Sequence, residues 1–306
     1  MSKSKINASK IAIIILNYNG CQNTIDCVNS VRNSKQGQDL NIVVVDNAST
    51  DGSTSKLSKI KGLIFLQNKD NLGYSGGNNV GIKWALEHKF DQILILNNDT
   101  IVSQDMIRIL SNALNKFSIV TPKIYFAKGF EYHKEKYREK DLGNIIWYAG
   151  GKIDWENVLG VHIGVDEVDS GQYNNEREID FATGACLMVK KEVFEKIGLF
   201  DEKYFLYLED MDFCVRAKKA GFMISYQPKA SLWHKNAASA GGSGSNLQDY
   251  YITRNRLLFA FKYANLRTKL AVIRQVALQI DSKVKRKALL DFLTYNFGKS
   301  NTNFNQ

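Results

Sequence analysis

Three carboxylates, Glu209, Asp210 and Asp212, stand within four positions at the head of LEDMDFCVRAKKAGF, residues 208–222. They follow the aromatic residues Tyr204, Phe205 and Tyr207. Beside such apolar surface, desolvation and mutual repulsion raise a carboxyl group's proton affinity and suit it to general-base work. The same density also fits the negative first turn of a helix, with Arg216, Lys218 and Lys219 at its far end. A second acidic element weighs for chemistry: in LILNNDT, residues 94–100, an apolar run ends abruptly in Asn97, Asn98 and Asp99. Two acidic elements flanking a cleft point to an enzyme.

Asp99 is a natural ligand for a hard divalent cation, Mg²⁺ or Mn²⁺, which would also bind diphosphate oxygens. His234 lies between Trp233 and a stretch rich in Gly, Ser and Ala. It could complete a metal site, its imidazole favouring Mn²⁺, or be a loop histidine without a ligand. Asp46 ends the apolar run NIVVVD, and its carboxylate is expected to project into a ligand crevice and accept hydrogen bonds from a base N–H or a ribose hydroxyl. Asn47, Ser49, Thr50 and Asp51 after it read as a turn or cap. Gly73, Gly76, Gly77 and Gly81 at a loop-to-helix junction allow backbone approach to phosphate, with Asn78 and Asn79 as donors. They lack a G-x-G-x-x-G match, so a nucleotide diphosphate fits better than a dinucleotide.

The elements that must position these residues alternate. Apolar runs at 10–16, 41–46, 63–67 and 92–97 predict strands, and helices are expected over 22–33, 54–61, 77–88 and 103–116. Such β/α alternation predicts a Rossmann-like α/β fold with a mainly parallel sheet and ligands beyond the carboxyl ends of the strands, where the polar motifs fall. Residues 129–141 read as an exposed charged insertion, and further short strands are expected within 145–166 and over 179–189.

The 306 residues suffice for one catalytic domain, expected over 10–250, plus a tail over 251–306. A hydrophobic content of 44% and only two prolines fit a packed globular chain. Cys21, Cys27, Cys186 and Cys214 show no metal spacing and read as reduced thiols, which suits a cytoplasmic location. The apolar run at 11–16 is far short of the about 20 residues that span a membrane, so neither a signal peptide nor a spanning helix is expected. The net charge of +10 is concentrated in the tail, where eleven Lys or Arg face only Asp281 and Asp291. Apolar residues at helical spacing over 256–280 make this an amphipathic helix that either meets anionic lipid headgroups or packs on the domain; no nucleic-acid module accompanies it.

The segments ILNYNG (15–20), VVVDNASTDGS (43–53), NLGYSGGNNVGI (71–82), LNNDT (96–100), FATGACLMVKKEVFEKIGLFDE (181–202) and FLYLEDMDFCVRAKKAGF (205–222) together resemble a bacterial family 2 glycosyltransferase, most closely its non-processive, rhamnosyltransferase-like branch. The resemblance spans about residues 10–260 and implies a GT-A fold and an inverting, nucleotide-sugar-dependent transferase of cell-surface polysaccharide biosynthesis. It implies that Asp210 is the base, with Glu209 beside it, and that Asn17, Asp46, Asn78 and Asn98 lie at the nucleotide sugar. Thr183 and Gly184 would line the acceptor side, and Arg254 in YITRN would meet the diphosphate. Asp99 and His234 match the family's metal ligands, although Asn97 replaces the first acid of its D-x-D motif. The expected partners are a nucleotide-sugar donor, a saccharide or lipid-linked saccharide acceptor, and an anionic membrane surface at which the protein is peripheral. A sugar nucleotidyltransferase would show an Arg- and Gly-rich loop after the first strand, where Asn17, Tyr18, Asn19 and Gly20 stand. A catalytically degenerate donor-binding subunit is the non-enzymatic alternative.

Overall fold

The computed structural model describes residues 10–35, 40–235 and 245–302. Buried β-branched runs form β1 (Ile11–Asn17) and β2 (Asn41–Asp46), followed by β3 (Leu63–Gln67) and β4 (Gln92–Asn97). Between them run α1 (Cys21–Arg32), α2 (Ser53–Leu57) and α3 (Gly73–Glu87). These four strands pair in parallel in the order β4-β1-β2-β3, so Asn17, Asp46 and Asn97 end neighbouring strands on one edge. That is the crevice position expected for a ligand in such a sheet.

The second half departs from alternation. β5 (Thr100–Val102), α4 (Met106–Ala113) and β6 (Ile119–Phe126) lead into β7 (Ile146–Tyr148) and the hairpin β8 (Gly151–Asp154)–β9 (Leu159–His162). Residues 132–136 and 138–140 are exposed, as the charged insertion predicts. After β10 (Arg177–Glu178), strand β11 (Cys186–Lys190) runs antiparallel between β4 and β6. It passes into α5 (Lys191–Ile197) and α6 (Glu209–Lys219). β12 (Ile224–His234) then runs parallel to β6, completing a ten-stranded sheet in the order β10-β12-β6-β11-β4-β1-β2-β3, with β5 and β7 joined at its side.

Three corrections concern local structure. β12 has no counterpart in the sequence reading; Pro228 interrupts its pattern, and the register shifts between Gln227 and Ser231 where the proline sits, as a residue without an N–H requires. Helix α3 begins at Gly73, four residues early, and Gly77 and Gly81 lie against β1 and β2, where a Cβ would run into Leu16 and Ile14. These glycines therefore serve helix–sheet packing. The helix expected over 256–280 is divided: α7 (Asn246–Tyr263) ends before Asn265, whose side chain accepts from Thr268 N and caps α8 (Leu266–Ala277). α9 (Lys283–Leu293) packs back on α7.

Asp212 ties α7 to α6. Fully buried, it accepts from Arg216 Nε at 2.8 Å, the Tyr263 hydroxyl at 2.7 Å, the Tyr204 hydroxyl at 3.2 Å and the Lys262 ammonium. Burial opposes its charge, but Lys262 and Arg216 outweigh it and hold the carboxyl below its ordinary value. Asp212→Ala would leave Lys262 on Asp201 and Arg216 on the Ile197 and Leu199 carbonyls but take the acceptor from two tyrosine hydroxyls, a loss expected to cost about 1–3 kcal/mol. The lowered value makes this stabilisation complete above the ordinary carboxyl value of 3.8 and lost as pH falls through the folded one. Urea denaturation of wild type and Asp212→Ala at pH 7 and pH 3 checks both points: the gap should be smaller at pH 3 than at pH 7.

Candidate active site

The turn that delivers the acid pair is unusual backbone. Phe205, Tyr207 and Leu208 all have left-handed φ, at 62°, 69° and 70°. Non-glycine residues so placed cost on the order of 1–3 kcal/mol each and persist only where their surroundings hold them. Asn255 of α7 supplies the hold: its Nδ2 donates to the carbonyls of Tyr204, Leu206 and Tyr207 at 2.8, 2.8 and 2.9 Å. Arg254 donates to Lys203 O and Tyr204 O at 3.1 Å and to Gly298 O at 2.8 Å. Phe205 stacks on Tyr251 at 5.2 Å, and Phe205 O accepts from Tyr74 N at 2.7 Å, which fixes the turn to the head of α3. The expectation that Arg254 meets a diphosphate is corrected here. It is fully buried, and its donors are committed to these carbonyls, Asn255 Oδ1 and the Tyr250 hydroxyl.

At the head of α6 the paired acids differ. Asp210 is partly exposed; its Oδ2 accepts from Gly184 N and its Oδ1 from Met211 N, both at 2.8 Å. Burial raises its proton affinity while these N–H bonds pull the other way. Glu209 is buried, and its Oε2 has no hydrogen-bond partner. Burial first, and then the charge of Asp210, push it well above the ordinary carboxyl value. Both carboxyls are thus held above their ordinary values, and Asp210 is the one of the pair with partial exposure and backbone N–H groups to receive its charge.

The peptide from Gly184 to Ala185 joins the two acidic elements. Gly184 N binds Asp210, and Ala185 O accepts from Asn97 N at 3.0 Å. The Tyr74 hydroxyl donates to Gly184 O at 2.5 Å, so close that a Cβ on Gly184 would strike it. Thr183 is buried beside this peptide, its Oγ1 accepting from Ala185 N at 3.3 Å. Thr183 and Gly184, expected on the acceptor side, thus stand next to Asp210.

Along the strand ends a polar floor continues from Asn97. Asn17 Nδ2 donates to Asp46 Oδ1 at 2.8 Å, and its Oδ1 accepts from the Thr24 hydroxyl at 2.7 Å. Asp46 does not project into the crevice as expected: it is fully buried, and its Oδ2 accepts from Ser49 N and the Thr54 hydroxyl at 3.2 and 2.9 Å. Its charge orders the turn after β2. Asn98 likewise points inward, its Nδ2 donating to the Thr24 hydroxyl at 3.0 Å. Asn78 differs, because its Nδ2 donates to Tyr74 O while its buried Oδ1 has no partner. It keeps an acceptor in reserve, unlike Asn79, which is spent on Phe200 and Glu202.

Asp99 and His234 meet at the ends of β4 and β12. His234 Nε2 lies 3.0 Å from Asp99 Oδ1, both residues are buried, and Asp99 Oδ1 and His234 Nδ1 make no hydrogen bond. Trp147 stands edge-on to the imidazole at 4.7 Å. Burial opposes the Asp99 charge, but His234 and Lys235 outweigh it and lower the carboxyl's proton affinity. A carboxylate oxygen and an imidazole nitrogen buried side by side at 3.0 Å, here paired with each other, are donors of the kinds that suit two positions around a divalent cation. Among the described residues, no group of three or more His, Cys, Asp or Glu side chains could hold one, so the other donors would come from a ligand or water. The Gly-, Ser- and Ala-rich stretch after His234 lies mostly outside the described residues; Ser245 caps α7, accepting from Gln248 N.

The sequence reading overlooked Asn255 and Tyr74, which act through carbonyls of the turn and of Gly184. Only the adjacency of a buried-type Asn and Arg within a helix hints at the first.

A family model, Glycosyl transferase family 2, matches residues 12–198. Among curated proteins, the low-salt glycan biosynthesis hexosyltransferase Agl10 of Haloferax volcanii is 27% identical over 251 residues, covering 81% of this chain and 74% of that protein. The dTDP-rhamnosyl transferase RfbF of Shigella flexneri is 25% identical over 262 residues, 83% of this chain and 81% of that one. The fold is similar to GalNAc-T7 solved with UDP, GalNAc and Mn²⁺, with a TM-score of 0.62 and 16% identity over 95% of this chain, which spans 57% of that chain. It is also similar to the mannosyltransferase PcManGT from Pyrobaculum calidifontis in complex with GDP-Man and Mn²⁺, with a TM-score of 0.54 and 14% identity over 95% of this chain and 75% of that one. The architecture is thus GT-A-like, with C-terminal helices added.

The unpaired, buried Glu209 makes a prediction about stability. Its folded-state proton affinity is raised, so its favourable contribution is present below its ordinary value of 4.5 and is lost as pH rises through the folded one. Glu209→Gln should therefore raise the melting temperature at pH 7.5 and lose that advantage near pH 4, as differential scanning calorimetry at the two pH values would show.

Proposed function

Because the chain belongs to glycosyl transferase family 2, we propose that it moves one sugar, with inversion, from a nucleotide-diphosphate donor to a hydroxyl of a saccharide acceptor in cell-surface polysaccharide biosynthesis. The observation that carries this reading is the Asp210 carboxylate, held on Gly184 N at 2.8 Å and joined through that peptide to the strand end bearing Asp99. In the proposed displacement the acceptor oxygen attacks the anomeric carbon and passes its proton to Asp210. The bond from that carbon to the diphosphate breaks, and its electron pair leaves with the nucleoside diphosphate. Attack opposite the leaving group inverts the configuration. A positioned base of this kind contributes about 10²–10⁴ in rate.

Tyr74 and Gly184 hold Asp210 in place, and the buried Glu209, its proton affinity raised in part by Asp210, stands beside it. Asn78 Oδ1, buried without a partner, is suited to a donor hydroxyl. Asn17, Asp46 and Asn98 act as the floor that sets the shape of the nucleotide pocket. Asp99 and His234 would hold Mg²⁺ or Mn²⁺, and both solved relatives named above contain Mn²⁺. The cation would supply positive charge beside the leaving diphosphate.

A dTDP-rhamnosyl transferase and a hexosyltransferase among the relatives support dTDP-rhamnose or a UDP-hexose as donor. They also support the rhamnosyltransferase-like branch. The acceptor is a lipid-linked saccharide, which would place the protein at the inner face of the cell membrane, peripherally.

Calorimetric titration with a panel of UDP- and dTDP-sugars, with and without Mn²⁺, tests the donor side. One donor should bind in a metal-dependent way, and Asp99→Ala should abolish the metal dependence. Asp210→Asn should bind that donor with unchanged Kd yet release nucleoside diphosphate about 10²–10⁴ more slowly with a lipid-saccharide extract as acceptor. Donor binding without turnover in the wild type would instead support a degenerate binding subunit. The wild-type rate should rise with pH through the raised Asp210 value and then level off.

A further inference from the structure

The outward face of α8 carries large apolar residues interleaved with basic ones, Arg274 standing in the same row as the exposed leucines. Thr268, Val272 and Val276 point into the protein, and the opposite stripe carries Leu266, Leu270 and Leu278, which are 71%, 59% and 73% exposed. On α9 and just beyond it, Leu290, Leu293 and Tyr295 are also more than half exposed. Scattered exposed leucines need no explanation, but a row at helical spacing does.

Charge selects the partner. α8 carries Arg267, Lys269 and Arg274 without a single acid. In α9 the one acid, Asp291, is buried and paired with Lys287, which leaves Lys283 and Arg286 exposed. A protein partner, or a second copy of this chain, would have to bring carboxylates into register with these cations. An anionic bilayer offers phosphates everywhere and hydrocarbon just beneath them. A cavity of about 330 Å³ opens beside Leu278, lined in part by Leu159, Arg256, Val276 and Lys285, with Asp249 its one acid. Arg256 and Lys285 are hydrogen-bonded there to neutral oxygens of Asn157, Gln275 and Gln279, so basic groups continue inward from the apolar face.

We propose that the outward face of α8, with the end of α9, docks on an anionic phospholipid surface, inserting Leu266, Leu270 and Leu278 to the headgroup boundary while Arg267 and Arg274 meet phosphates. Helices of this composition lie in the interface plane, bound by apolar burial and by attraction to anionic lipid together. The inference rests on the reading that the acceptor is lipid-borne, since docking would bring such an acceptor within reach of Asp210.

Sedimentation with vesicles of phosphatidylcholine alone, or with 30% phosphatidylglycerol, tests the inference on the full chain. The wild type should bind the anionic vesicles and bind the neutral ones about tenfold or more weakly. The triple change Leu266→Gln, Leu270→Gln, Leu278→Gln should weaken binding by about tenfold or more, and so should Arg267→Gln with Arg274→Gln. These residues are exposed, so each variant should melt as the wild type does. No binding by the folded wild type, or full binding by the leucine variant, would overturn the proposal. So would a wild-type dimer that the leucine variant dissociates, because a second copy would then cover the face. Donor titration of the same samples separates the two readings: vesicle binding without donor binding sinks the transferase reading alone, and the converse sinks the docking face alone.

Discussion

The position of the acid pair hangs on a backbone turn that would not hold its own shape. Phe205, Tyr207 and Leu208 adopt left-handed φ immediately before Glu209 and Asp210. Few local contacts could offset that strain. The offset comes from some fifty residues downstream, where Asn255 and Arg254 gather the carbonyls of Lys203, Tyr204, Leu206 and Tyr207. Helix α7 is therefore part of the machinery that aims Asp210, and the Asp212 cluster, which joins α6 to Lys262 and Tyr263, fixes the distance between the two helices.

Three acids close in sequence meet three fates because their partners differ. Asp212 has cations, which hold its carboxyl below the ordinary value; Glu209 has no cation and an unpartnered Oε2, and burial and the charge of Asp210 push it well above. Asp210 has two backbone N–H groups and access to the crevice, which keeps it ionisable with a raised proton affinity. Environment alone assigns the roles. The same division runs through the asparagines: Asn17, Asn79 and Asn98 are spent on the scaffold, whereas Asn78 retains an unused acceptor.

The first half of the fold was legible in the sequence because each parallel strand is a short apolar run covered on both faces, and each polar motif ends one. The second half was less so. β12 is masked by Pro228 and its bulge, and the long amphipathic pattern of 256–280 hides the Asn265 cap that divides it. Residue type singles out Asp99, Asp210 and His234 as candidates, and the structure brings the first and last to 3.0 Å of each other. What residue type does not report is direction. Asp46 and Arg254 look like ligand contacts, yet both are turned into the protein, where their charges order turns. Asn255 acts on carbonyls, and a contact with backbone leaves no pattern in the side chains it touches.

Hydrogen–deuterium exchange on wild type and Asn255→Ala tests the dependence of the acid pair on α7 most directly. The account predicts that amides from Tyr204 to Met211 lose protection by about tenfold or more in the variant while β1, β2 and β4 keep theirs, a local opening rather than a global one. Unchanged protection across that segment in a folded variant would contradict it, since the turn would then be held by something other than the Asn255 clamp.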